Sequence, residues 1–180
     1  ILASLAEYIK IPAKSPLFDM NWAENGYLDE AVELMLTWVK GQDVPGLRIE
    51  VHRLPDRTPT ILMSIDGESD DTVLIYGHLD KQPEFNGWDD GLEPFKPVFR
   101  DHKLYGRGGA DDGYAIYAAI AAIKSLQAQQ LLLPRIVILI EASEESGSPD
   151  LPFYMDELEE VIGKPSLVIA LDSTAGNYDQ

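Results

Sequence analysis

The chain has 180 residues, 45% of them hydrophobic and 25% charged, which suits a single globular domain with a buried core. Its 14 Lys and Arg residues against 31 Asp and Glu residues leave a formal charge of −17, which excludes the phosphate backbone of nucleic acid as a partner and favours a cation. Cysteine is absent, so disulfides and thiolate metal sites are ruled out, and any metal would have to be held by His and carboxylate.

The chain begins with Ile1 and not Met, so the native N-terminus is expected to lie upstream. Leu2, Leu5, Ala6 and Ile9 recur at helical spacing before Pro12, predicting an amphipathic helix over 1–10. A long loop follows. Leu28, Ala31, Val32, Met35, Trp38 and Val39 then share one face, with Asp29 and Glu30 in the first turn and Gly41 just past the end, predicting a second helix. Leu47, Ile49 and Val51 alternate with Arg48, Glu50 and His52 as in a half-buried strand, and 60–65 repeats the strand character. His52 falls on the polar face and is expected at the surface.

Asp70 and Asp71 read as a solvated turn before Val73-Leu74-Ile75-Tyr76, a continuous apolar run of the kind buried on both faces of a sheet. The run leads into Gly77-His78-Leu79-Asp80-Lys81-Gln82-Pro83, so an imidazole emerges where the strand ends. Residues 87–97, with Trp88, Phe95 and two prolines, read as a loop. Val98-Phe99 and Leu104-Tyr105 flank a predicted hairpin with His102 at its tip, a poor place for a metal ligand. The stretch Tyr105-Gly106-Arg107-Gly108-Gly109-Ala110-Asp111-Asp112-Gly113 then opens an alanine-rich helix predicted over 110–129, with Asp111 and Asp112 in its first turn. Helix capping alone would account for aspartates there.

The longest apolar stretch, Leu131 to Ile140, is broken by Pro134 and Arg135 and falls far short of the roughly 20 residues of a membrane span. Residues 136–140 predict a central strand that delivers Glu141 to Glu145 to its C-terminal end. A helix over 151–161 and another buried strand over 166–171, ending at Asp172, complete the pattern. An α/β protein with an open sheet is implied, and its strand ends are where such folds place their sites.

Each acidic residue is a weak signal alone, because a charge pair after a strand is usually a solvated loop. Together, imidazole and carboxylates collected at strand ends suit two divalent ions about 3.5 to 4 Å apart, with one carboxylate bridging and another free as a base. The adjacent Glu144 and Glu145 can divide those tasks.

The runs Gly77-His78-Leu79-Asp80, Gly106-Arg107-Gly108 through Asp111-Asp112, Glu144-Glu145 and the strand ending in Asp172 resemble the co-catalytic metallohydrolase family of acetylornithine deacetylase, succinyl-diaminopimelate desuccinylase, aminoacylase and carnosinase. The resemblance implies a three-layer α/β sandwich with a central mixed, largely parallel sheet flanked by helices. It implies metal ligation by His78, Asp111, Glu145 and Asp172, with Asp111 bridging, Glu144 as general base and Asp80 orienting His78. Two divalent metal ions are implied, Zn2+ first, with Mn2+ or Co2+ as alternatives. The family often reads Asp-Asp-Lys-Gly or Asp-Asn-Lys-Gly at the bridging residue, whereas Gly113 and Tyr114 follow Asp112 here, so any role of that lysine is absent.

By the same resemblance, residues 1–180 would form the N-terminal portion of a catalytic domain. A lid or dimerisation domain and a returning segment with a further histidine ligand would lie beyond Gln180. The expected function is hydrolysis of an amide by a metal-activated water, with a small peptide or N-acyl amino acid as substrate and a homodimer in the full-length protein. Neither nucleic acid nor membrane is an expected partner, and the cytoplasm is the expected compartment. Gln82-Pro83 resembles the dipeptidase branch and favours dipeptides, with deacetylase, desuccinylase or aminoacylase activity as the alternative. An acidic module binding Ca2+ or Mg2+ for structure is the rival reading, against which His78 speaks because hard cations prefer oxygen ligands. A degenerate, non-catalytic scaffold is the third.

Overall fold

The computed structural model describes residues 1–69 and 71–172; Asp70 of the expected turn lies outside them. The first half of the chain contains α1 (Leu2–Lys10), α2 (Trp22–Asn25), α3 (Tyr27–Lys40), β1 (Arg48–His52), β2 (Thr60–Ile65) and β3 (Thr72–His78). The second contains β4 (Val98–Arg100), β5 (Lys103–Tyr105), α4 (Ala115–Ala128), β6 (Arg135–Glu141), α5 (Leu151–Glu157), α6 (Glu159–Ile162) and β7 (Leu167–Ala170).

Five strands form one sheet in the order β1-β2-β6-β3-β7. The β1-β2 and β2-β6 pairings are antiparallel, while β3 pairs in parallel with β6 on one side and β7 on the other. The sheet is therefore mixed, with its parallel half around β3. Side chains alternate across each strand, so the apolar run in β6 serves two cores. Ile136, Ile138 and Ile140 pack with α1, α3 and α4 on one face, together with Ile61, Met63 and Ile75. Val137 and Leu139 pack on the other face with Leu62, Leu74 and the α5-α6 residues Tyr154, Leu158 and Ile162. Helix, sheet and helix make the three layers that the resemblance implies.

Gly77 in β3 sits where a Cβ would lie 2.5 Å from Ala115 Cβ and 2.6 Å from Asp112 Oδ2. Its lack of a side chain lets the start of α4 approach the strand end. The predicted hairpin is β4-β5, with Asp101 and His102 at φ 52° and 61° in its two-residue turn. His52 is half-buried, its Nε2 lying 3.2 Å from Glu50 Oε2 on the same strand.

Three elements differ from the sequence expectation. Helix α4 starts at Ala115 and not at residue 110, because Gly113 N–H bonds to Gly108 O and closes the preceding residues into a loop. The expected helix over 151–161 is two short helices parted at Leu158, whose φ of −101° and ψ of 8° leave the helical range. Strand β7 is exposed at Leu167, Val168 and Ile169, not buried, because it is the outer strand and neither core cluster includes any of its residues.

The two-helix layer is anchored by buried Tyr154, whose hydroxyl donates to Thr58 O at 2.6 Å and accepts from Leu54 N–H at 3.0 Å. Tyr154→Phe would leave both backbone groups unpaired. Thermal or urea unfolding should read a loss of about 1 to 3 kcal/mol; a loss near zero would mean that water replaces the hydroxyl.

Candidate metal centre

The parallel register sets His78 level with Glu141, so β3 and β6 end together and their following loops share one edge of the sheet. His78 is 1% exposed. Its Nδ1 lies 3.0 Å from Asp80 O, a carbonyl that can only accept, so Nδ1 carries the hydrogen and the neutral ring keeps its lone pair on Nε2. That Nε2 lies 3.2 Å from Asp111 Oδ1, 3.7 Å from Glu144 Oε2 and 3.8 Å from Asp172 Oδ2. It makes no hydrogen bond of acceptable geometry with any of them. Once deprotonated, that buried nitrogen and the three carboxylates it faces could hold a divalent cation.

Two groups that could hold a metal ion have donor atoms within 4.8 Å of one another: His78 with Asp111 and Asp172, and His78 with Glu144 and Glu145. Glu145 also interacts with Asp111, so the two groups adjoin. All six residues singled out in the sequence lie at this edge. Asp80 is fully buried, yet its carboxylate is not the nearer group to the imidazole: Oδ1 is 3.5 Å from Nδ1, beyond the carbonyl oxygen. The carboxylate accepts instead from Glu144 N–H at 3.1 Å and Glu145 N–H at 3.0 Å. These two bonds hold the short 3-10 turn Glu144–Ser146, which ends at Gly147 in the left-handed region with φ 85°.

Asp111 and Asp112 diverge from the loop that precedes α4, across a cis peptide bond. Asp111 is half exposed and faces Nε2, whereas Asp112 is fully buried and its Oδ2 accepts the His78 backbone N–H at 3.1 Å. Asp112 and Gln82 were not singled out as site residues; Gln82 donates through Nε2 to Glu145 Oε2, leaving Glu145 Oε1 without a partner. The missing lysine after the acidic pair has a physical cause, since a Cβ at Gly113 would lie 2.1 Å from the Tyr8 ring. Glu141, although it ends β6, serves structure: Tyr76, Ser143 and Ser148 hydroxyls all donate to it.

Burial and charge crowding together set the electrostatics. Burial opposes protonation of His78, but Asp111 and Asp80 outweigh it and push the ring up to about 11. The imidazole of His78, 3.2 Å away, holds Asp111 below its usual range. Burial, followed by the charge of Asp111, pushes Glu145 up to about 7, and burial raises Glu144. A cation bound at Nε2 would displace a proton and relieve this crowding.

Residues 74–172 match the family model described as Peptidase family M20/M25/M40. The chain belongs to that family. Mouse Beta-Ala-His dipeptidase is 36% identical over 117 residues, covering 60% of this M20 chain and 23% of the relative. Acetylornithine deacetylase of Yersinia pestis is 28% identical over 159 residues, covering 80% of the chain and 40% of the relative. The M20 family metallo-carboxypeptidase Sso-CP2 from Sulfolobus solfataricus has the same fold, with a TM-score of 0.77 and 25% identity over 97% of this chain and 37% of its own. The M20 chain thus spans well under half the length of these relatives. Among the described residues no helix is long and apolar enough to cross a membrane.

Asp112, ordinarily near 3.8, is pushed up to about 7, chiefly by burial. The folded state holds this proton more tightly than the unfolded chain does, so the stability it contributes is full below pH 3.8 and lost as pH rises through about 7. The raised His78 and Glu145 act in the same direction. Metal-free protein should therefore melt lower at pH 8 than at pH 5. Asp112→Asn, which keeps an oxygen for the His78 N–H but cannot ionise, should melt with a smaller drop. Equal drops in chelator-treated samples would assign the pH dependence to the other groups.

Proposed function

We propose that the protein carrying this chain is a two-metal amidohydrolase acting on dipeptides, with His78, Asp111, Glu145 and Asp172 as metal ligands, Asp111 bridging, and Glu144 as general base. The observation that carries this reading is the buried, unpaired Nε2 of His78 facing Asp111, Glu144 and Asp172. A structural Ca2+ or Mg2+ site would have no use for that nitrogen. Residues from the rest of the full-length protein would complete the site, and a homodimer is its proposed assembly.

Two divalent ions, Zn2+ first and Mn2+ or Co2+ as alternatives, would supply polarisation of the scissile carbonyl and a lowered pKa for the attacking water. Glu144 suits the base. Unlike its neighbour, it is not tied to Gln82, and burial raises its carboxyl toward the range in which proton transfer near neutral pH is efficient. It would accept the proton of the water and return it to the leaving amine nitrogen. Asp80 would hold both glutamates at the right height through their amides and, through its carbonyl, keep the hydrogen of His78 on Nδ1.

The choice of dipeptides rests on Gln82-Pro83 and on the printed activity of the mouse relative, a Beta-Ala-His dipeptidase. Removal of N-acetyl groups is the second reading, favoured by the Yersinia pestis deacetylase. In the full-length protein Glu144→Gln should lower kcat by about 10²- to 10⁴-fold while metal analysis still finds about two ions per chain. Loss of metal together with activity would exchange the roles of Glu144 and Glu145. A substrate panel in which N-acetyl amino acids outpace dipeptides would select the second reading.

A further inference from the structure

Lys81 lies between the strand-end motif and the first helix, and it is 0% exposed. A buried ammonium is costly unless its donors are met. Here Nζ donates to Tyr8 O at 2.8 Å and Ile11 O at 2.6 Å, with Ile9 O at 3.4 Å, and stands 3.9 Å from the Tyr8 ring centroid. Because α1 ends at Lys10, these carbonyls belong to its last turn or follow it, where the helix dipole favours a positive charge; Tyr8 O also accepts from Ile11 N–H, and Ile11 O from Ala13 N–H. The Tyr8 hydroxyl in turn donates to Leu79 O at 2.7 Å, and Lys81 O accepts from Ser15 N–H at 3.0 Å. One cation thus joins the end of α1 to the loop that follows His78.

The stem of Lys81 has a second contact. At Gly108, which has φ 84°, a Cβ would lie 2.6 Å from Lys81 Cε and 3.0 Å from both Cδ and Cγ. A Cβ at Gly106 would lie 2.4 Å from Ile9 Cγ2, and one at Gly113 would meet the Tyr8 ring. The glycine loop that presents Asp111 and Asp112 therefore rests directly on Lys81, Tyr8 and Ile9. Nothing bulkier than glycine fits at those contacts without displacing them.

We infer that Lys81 is a positioning residue of the metal centre: its ammonium pins the end of α1, and its stem is the floor that sets the Gly106 to Gly113 loop, and with it Asp111, opposite His78. Lys81 touches neither substrate nor metal in this role. The inference rests on the metal-centre reading above and concerns a residue which that reading leaves without a task. A hydrophobic residue of similar length could fill the space, but it would leave the carbonyls of Tyr8 and Ile11 buried without this donor.

The test uses the full-length protein with Lys81→Met, which keeps an unbranched stem, and Gly108→Ala, which keeps the ammonium and adds one methyl group beneath the loop. Chelator competition with Zn2+ should read an affinity lower by about tenfold or more for each variant, the scale of an outer-shell loss. In steady state, kcat should fall by about tenfold or more with KM within about twofold of wild type. Amide hydrogen exchange of metal-free protein should quicken over residues 106–113 in both variants and stay unchanged in α5 and α6. A Lys81→Met protein that melts earlier but keeps wild-type Zn2+ affinity and loop exchange would overturn the inference, leaving the lysine a structural cap only. If Lys81→Met fails to fold, Gly108→Ala decides, and unchanged affinity and exchange in it overturn the inference. Wild-type protein that binds no divalent ion would instead sink the metallohydrolase reading, while the exchange comparison still decides the role of Lys81.

Discussion

A carboxylate fully removed from water costs several kcal/mol unless donors meet its charge, and Asp80 is such a group. Its two oxygens accept the amides of Glu144 and Glu145, so the loop after β3 and the turn after β6 are fixed to each other through one side chain. The Asp80 carbonyl meanwhile takes the Nδ1 hydrogen of His78. One residue therefore sets the height of both glutamates and the tautomer of the imidazole. The turn's own backbone bonds run from Ser146 and Ser148 N–H to Ser143 O and from Gly147 N–H to Glu144 O, which leaves the two glutamate amides to the Asp80 carboxylate.

Around that fixed point the acids are crowded to a degree that the protein alone does not neutralise. Asp111, Asp172 and Glu144 all lie within 4 Å of a single imidazole nitrogen. Glu144, Glu145 and Asp112 are raised first by burial and then by the neighbouring negative charge. Structural ion pairs are commonly arranged to cancel charge. This cluster leaves negative charge over, at one edge of the sheet in a chain whose formal charge is −17. The imbalance is physically sensible when a multivalent cation supplies the missing charge.

Much of this was legible in the sequence because strands and helices announce themselves by period. The run in β6 reads as a central strand since each of its faces meets a separate core, and the strand ends place His78 and the glutamates without further information. What period cannot reveal is a loop that goes against it. Asp111 and Asp112 read as first-turn helix residues, yet the loop closed by Gly108 and Gly113 turns one of them out to His78 Nε2 and the other in to its backbone. Lys81 carries no local signal either, because a lysine three residues past a strand is normally solvated, and its burial depends on carbonyls 70 and 73 positions away in the chain. Strand β7 has the composition of a strand covered on both faces. In this stretch of chain it stands at the edge of the sheet and is exposed, and composition does not encode sheet order.

The position of the centre follows from how the chain crosses the sheet. From β3 it passes through the β4-β5 hairpin and α4 and returns as β6 on one side of β3; it then passes through α5 and α6 and returns as β7 on the other side. Crossovers that leave in opposite directions open a crevice at the C-terminal ends of the strands, since the outgoing loops are drawn apart there. The first crossover packs α4 on one face and the second packs α5 and α6 on the other. His78 stands at the end of the strand between them, Asp111 on the loop of the first crossover, the glutamates at the start of the second and Asp172 just past its end. The antiparallel strands β1 and β2 take no part in this geometry and contribute no residue to the centre. A single topological feature thus brings together candidate ligands from four separate stretches of sequence, and buried Asp80 and Lys81 bond across from one stretch to another.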